Sequence, residues 1–231
     1  MKLRNAALPC LLLGLVTVAG CSKKPEAEPA APAPAAAPAA SAPTTAPVDA
    51  AQDEAAREAA GKKAAIERAL KEQAIVEDPK GQWASSAVAS STYSYEKTPA
   101  STLEYTAMKA TGKPDVEAYG DAGGAWTSEK ADAGIEWLEL GFATPVNAYE
   151  LRVRQNFYPG AIIKLELIDE TGSKHTVWEG SDDTAYPPST TSWFVRSFEK
   201  TPYKAKGARI TLATNAVPGW NEIDAVQLVG E

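Results

Sequence analysis

The residues able to do chemistry in this chain of 231 amino acids are few. His175 is the one histidine, and the two cysteines are Cys10 and Cys21. A Ser-His-Asp or Cys-His triad needs a histidine placed against a nucleophile, and a thiolate zinc site needs several cysteines. Neither can be assembled from this inventory. His175 follows the turn-like run Asp169-Glu170-Thr171-Gly172-Ser173, where an exposed imidazole is expected. The adjacent acids Asp182 and Asp183 could serve a glycosidase only if they faced each other across a cleft, and neighbouring acids on a loop are usually solvated. The sequence therefore predicts no enzyme. Net charge is −7 with a pI near 5.0, and the 23 lysines and arginines form no stripe. Nucleic acid is excluded as a partner, since binding it needs clustered cations.

Cys21 has a chemistry of its own. Lys2 and Arg4 precede an apolar run from Leu8 to Val18, which is signal-like and shorter than the about 20 residues a bilayer-spanning helix needs. The run ends in Val18-Ala19-Gly20-Cys21, which resembles the lipobox of bacterial lipoproteins. The resemblance implies cleavage before Cys21, acylation (palmitate among the chains) of Cys21, and a lipid bilayer as partner. Two or three acyl chains anchor stably, because each buried methylene contributes about 0.8 kcal/mol. Cys10 leaves with the signal, so no thiol or disulfide remains for the mature domain. Ser22 is not the aspartate of inner-membrane retention, which implies the outer membrane, at its periplasmic face or at the cell surface.

Aromatic residues beside turn-forming dipeptides are the remaining candidates. Tyr93 and Tyr95, Asn156 and Tyr158 ahead of Pro159-Gly160, Tyr186, and Trp220 and Asn221 after Pro218-Gly219 suit loop tips. There they could offer a platform to the apolar face of a sugar and polar groups to its hydroxyls. The alternative for each is a place in a core, and Trp126 and Trp137 are read that way. Arg152 and Arg154 are expected on a solvated strand face.

Four segments must position these residues. Residues 1–20 are the signal peptide. Residues 21–48 are an Ala/Pro-rich linker whose prolines forbid a helix, reaching roughly 80 Å at about 3.1 Å per residue. Residues 49–78 are rich in Ala, Glu, Lys and Arg and predict a charged helix stopped by Asp78-Pro79. Its thin stripe of Ile66, Leu70 and Ala74 suits either a solvated stalk or a helix docked on the domain or a partner. Residues 79–231 change character. Runs such as GIEWLELGF, AYELRVRQ, AIIKLELIDE, KHTVWEG, SWFVRSFE, GARITLAT and DAVQLVG alternate with Gly, Pro, Asn and Asp. In AYELRVRQ, Tyr149, Leu151 and Val153 take one face and Glu150, Arg152 and Arg154 the other. Seven or eight such strands predict an all-β antiparallel sandwich.

Three segments of this domain resemble the galactose-binding-like, discoidin-type jelly roll of coagulation-factor C-terminal domains and many carbohydrate-binding modules. They are Gly120-Asp121-Ala122-Gly123-Gly124-Ala125-Trp126-Thr127-Ser128, the strand Trp137-Leu138-Glu139-Leu140-Gly141-Phe142, and the closing run from Trp220 to Gly230. The resemblance implies a jelly roll that binds glycans through loops at one end. It also implies a structural calcium held by Asp121 and Glu222, although Tyr119 and Gly124 stand where that family has a ligand aspartate and a threonine. Asp121 with Glu222 would be the other pair of carboxylates available to a glycosidase. The function expected is a tethered, non-catalytic module recognising a glycan or cell-envelope polysaccharide. The alternative is a protein-interaction or assembly lipoprotein of the envelope with no sugar ligand.

Overall fold

The computed structural model describes residues 48–93 and 104–231. Helix α1 (Val48–Val76) is followed by eight strands: β1 (Gly81–Ala89), β2 (Ile135–Val146), β3 (Ala148–Phe157), β4 (Ile162–Asp169), β5 (Lys174–Glu179), β6 (Ser192–Ser197), β7 (Ala205–Ala213) and β8 (Glu222–Gly230). The signal, Cys21, residues 22–47 of the linker and Tyr95 lie outside the described residues, and Val48, given to the linker by the sequence, begins α1.

The strands run in the order β5-β4-β7-β2-β1-β8-β3-β6, every neighbouring pair antiparallel. The order folds into an all-β sandwich because β1 belongs to both layers. Gly81–Trp83 pair with β8, whereas Ala84–Ala89 pair with β2, and a register shift between Ala84 and Ser86 marks the corner. The opposite side is bridged by side chains. Trp178 of β5 meets Phe194 of β6 edge-on at 5.1 Å, and the Arg196 guanidinium lies over both rings. The sandwich is thus nearly closed.

Strand alternation delivers the core. Leu138 and Leu140, Leu151 and Val153, Leu165 and Leu167, Ile210 and Leu212, and Val226 and Leu228 all point between the layers and are fully buried. Trp126 is also fully buried, as its type and context predict. Trp137 departs from expectation. It sits half-buried on the outer face, with Arg209 stacked 4.0 Å above its ring, because its odd-numbered register carries it away from Leu138 and Leu140.

The outer face of β3 and β8 brings a larger correction. Arg152 and Arg154 do alternate with the core residues, but they are not solvated: the last turn of α1 covers them. Most of α1 faces water, helped by pairs such as Glu58–Lys62 at 2.8 Å, and Ile66 and Leu70 are exposed. At its end Ile75 is buried, and Gln227 donates to the Ile75 carbonyl at 3.0 Å, satisfying one of the free acceptors of a helix C-terminus. Arg154 pairs with Glu72 at 3.0 Å and with Asp224 at 3.2 Å. Arg152 pairs with Asp78 at 2.9 Å and with Glu150, and donates to Gln227 at 2.8 Å. Burial pushes the Asp224 carboxyl up to about 6, against the pull of backbone amides at Asp115 and Val116 and of Arg154. Gly81 permits this docking, since a Cβ there would lie 2.3 Å from the Gln227 side chain. With the helix end on one side and the core on the other, every residue of β8 is buried.

Candidate functional site

Because neighbouring strands alternate in direction, the described parts (90–93 and 104–134) of the first connection and the connections 158–161, 180–191 and 214–221 all emerge at one end of the sandwich. Trp126 ties the first of these to β8 by a backbone bridge to Ile223, with both N–H···O distances 2.9 Å. Its indole N–H donates to the Ser91 carbonyl at 3.1 Å. Thr127 Oγ1 donates to the Asn221 carbonyl at 3.0 Å, and Asn221 Nδ2 donates to the Tyr158 carbonyl at 2.6 Å. Three separate loops are thereby held as one surface.

Two aromatic groups stand on that surface. Tyr93 meets Trp220 edge-on at 5.6 Å and Tyr105 edge-on at 5.2 Å. Tyr158 packs on Phe157 at 4.3 Å, and Phe157 on Tyr119 at 5.4 Å. Gly219, at φ 110°, leaves room for the Tyr158 ring, which a Cβ would meet at 2.6 Å. Tyr93, Tyr158 and Trp220 keep 49%, 39% and 38% of their surface exposed, unusual for large rings that could have been buried. Tyr93, Tyr105, Asp121, Thr127 and Trp220 line a cup of about 60 Å³. That volume cannot enclose a ligand of the usual pocket class, about 300–1,000 Å³, so it suits one protruding group of something resting on the rings. Tyr105 donates to Asp121 Oδ1 at 2.7 Å, and this bond, then burial, holds its phenol well above the ordinary range.

Beneath the cup lies a buried carboxyl. Glu222 is 1% exposed; its Oε2 accepts from the Ala122 amide at 3.2 Å and from Asn156 Nδ2. Burial above all pushes its pKa up to about 8, and the neighbouring Asp121 carboxyl adds to the rise. Glu222 Oε1, Asn156 Oδ1 and Asn221 Oδ1 are buried with no hydrogen-bond partner. Buried polar atoms are nearly always partnered, so orphans on three side chains of one end ask for a reason. All three are oxygens, as are the Asp121 carboxylate and the Gly120 carbonyl that accepts from Asn156 at 3.0 Å. Such a set fits a hard cation, which takes oxygen ligands only. Among the described residues no group of three or more His, Cys, Asp or Glu has metal-holding spacing, so carbonyl and amide oxygens must complete any such site.

The sequence candidates separate here. Tyr93, Asn156, Tyr158, Trp220, Asn221, Asp121 and Glu222 converge on this end. Tyr186 lies at the same end but faces the helix side, its hydroxyl donating to Asp182 and accepting from Gln155 at 3.1 Å. Tyr105 was missed by sequence reasoning. It reaches the cup only because its backbone takes φ 60°, which no local signal announces for a tyrosine. Asp182 and Asp183 do not face each other: Asp182 is buried against Arg196 and Tyr186, while the Asp183 side chain is 95% exposed. His175 sits at the opposite end, bound to Asp169 at 2.8 Å and stacked on Tyr203 at 4.0 Å.

Residues 73–231 match the family described as pappalysin-1, SD scarf domain, C-terminal. The chain belongs to that family. The matched stretch begins at the turn of α1 that becomes buried, so the SD scarf unit comprises the docked helix end together with the sandwich. No curated protein matches the sequence. Among solved structures, the SD scarf domain is similar to chitosan-binding module 1 of a Paenibacillus sp. IK-5 chitosanase/glucanase, at 14% identity and TM-score 0.44 over 63% of this chain and 94% of that one. It is also similar to the family 32 carbohydrate-binding module of Streptococcus pneumoniae EndoD, at 12% identity and TM-score 0.44 over 68% and 99%. The N-terminal domain of the single-strand break repair protein XRCC1 is similar at 9% identity and TM-score 0.42 over 64% and 99%.

Proposed function

We propose that this chain is a membrane-tethered, non-catalytic binding module that recognises a glycan or cell-envelope polysaccharide at its loop end. The observation that supports this most is the group of exposed rings, Tyr93, Tyr158 and Trp220, around a small cup carrying a carboxylate and a threonine. Flat rings offer the C–H face of a sugar an apolar contact, and the Asp121 carboxylate and the Thr127 hydroxyl oxygen offer acceptors to its hydroxyls. A glycan array probed with the full chain tests it. Binding that Trp220→Ala abolishes without lowering the melting temperature is expected. An array with no hit, or hits indifferent to Trp220, contradicts the reading.

Calcium belongs to the same proposal. Glu222, Asp121 and Asn156 would hold it, and bound there it would supply the positive charge their oxygens lack. A ligand bound only by the folded state stabilises by about 2.7 kcal/mol at a hundredfold excess over Kd. Calcium should therefore raise the melting temperature by several degrees, and Glu222→Gln should abolish the rise while melting no lower than the native chain in chelator. An identical melting temperature with calcium and with chelator removes the site.

Attachment through acylated Cys21, at the outer membrane, completes the reading. It rests on the signal and lipobox-like run, since no described helix is long and apolar enough to cross a membrane. One observation favours the assembly alternative. Ile66 and Leu70, each 61% exposed one turn apart, leave α1 an apolar strip that a partner protein could cover.

A further inference from the structure

A second cavity lies away from the loop-end cup, between α1 and the connection from β5 to β6. It holds about 400 Å³ and is lined chiefly by Arg68, Lys71, Glu72, Tyr186, Pro187 and Trp193. Its polar groups are unbalanced towards donors. Among the described residues no carboxylate pairs with Arg68 or Lys71. Glu72 is committed to Arg154 at 3.0 Å, so it does not offset them. The Trp193 indole N–H is buried with no acceptor. Behind it Arg154, 6% exposed and opposite Trp193 in the β3–β6 register, also keeps its Nε buried without an acceptor, while its Nη2 donates to the groove residue Thr191 at 3.2 Å. A buried donor without an acceptor is disfavoured unless something supplies one.

We propose that this groove is a second binding site, for a carboxylated (uronic-acid) oligosaccharide. Its volume lies in the range of small-ligand sites, about 300–1,000 Å³. Such a sugar brings carboxylate oxygens for Arg68 and Lys71 and a hydroxyl oxygen for the orphan indole N–H of Trp193. Its C–H face suits the flat surfaces of Pro187 and Trp193. An acidic peptide matches less well, because it would bring backbone N–H donors into a groove whose carboxylate is already taken. The site uses residues of α1, so the helix is part of the recognition surface as well as the spacer.

The test titrates the full chain with trigalacturonate, the neutral galactotriose and an oligoglutamate, at low and high salt. Trigalacturonate is expected to bind, to weaken with salt, and to lose about tenfold or more in affinity in Arg68→Glu/Lys71→Glu, where charge-assisted contacts become repulsive. Both residues are exposed on the helix, so circular dichroism and melting should not change. Trp193→Phe keeps the ring and removes the donor, and should weaken binding several-fold; if it fails to fold, the helix double variant still decides. Trp220→Ala should leave this binding intact, which separates the groove from the loop-end cup. Galactotriose binding as well as trigalacturonate, indifference to the double charge reversal, or tighter binding of oligoglutamate would each overturn the proposal.

Discussion

The two ends of the sandwich are built to different standards of completeness. At the end that carries the turns 146–147, 169–173 and 198–204, polar groups are paired. Asp169 Oδ1 accepts from the amides of Thr171 and Ser173, as the DETGS turn predicts, with Gly172 at φ 90°. Asn147 donates to the carbonyls of Thr201 and Tyr203, and Glu231 is clamped between Lys80 and Lys200. At the loop end the carboxyl of Glu222 is buried beyond its ordinary pKa, and large rings stay in water. All five orphaned buried side-chain atoms of the described residues, on Arg154, Asn156, Trp193, Asn221 and Glu222, belong to that half. A fold able to satisfy one end so fully has no need to leave the other short. Unsatisfied groups concentrated beside exposed aromatics mark the end where a ligand or ion completes the structure.

Breaking the loop end at its pivot should have the largest effect. Trp126→Ala empties a fully buried site that ties loop to strand, and an aromatic-to-alanine change of this kind costs about 3–5 kcal/mol. Chemical denaturation should show that loss, and a loss below about 1 kcal/mol would mean that the loop is not anchored there. Arg154→Ala comes next, since it strands Asp224 without its buried partner and frees Glu72. A cost of about 3 kcal/mol, with earlier proteolysis near the end of α1, is expected. Unchanged stability would return Arg154 to the solvated role its sequence suggests. The smallest effect belongs to the complete end. Lys200 and Lys80 pull the Glu231 carboxyl down to about 2, below its ordinary 4.5. Its contribution is therefore fully present above about pH 4.5 and fades as pH falls towards 2. Glu231→Gln should flatten the acid limb of the stability profile slightly and leave neutral pH nearly unchanged, because the pair is exposed. A larger loss at neutral pH than in acid would refute that assignment.

The sequence was most readable where one local rule decides. Period-two alternation located β2 to β8, and Pro-Gly pairs located two turns, with Gly160 and Gly219 both at positive φ. Strand β1 escaped because GQWASSAVA has almost no branched alternation. Its small residues serve a strand that changes layers, where Ser86 faces Gly141 at a corner with little room: a Cβ on Gly141 would lie 2.4 Å from Ser86 Oγ. The face carrying Arg152 and Arg154 was readable, but what covers it was not, because periodicity assigns sides and not neighbours. The same limit hid Tyr105. Of the cup, the sequence supplied Tyr93, Asp121 and Trp220 and missed Thr127 and Tyr105, the latter delivered by an unusual backbone angle.

Amide hydrogen exchange of the full chain, with and without a glycan that it binds, tests the contrast between the ends most directly. The account predicts added protection in 119–127, 157–160 and 217–222, and none in 169–173 or 198–204. Protection confined to the paired end, or spread equally over both, would contradict it.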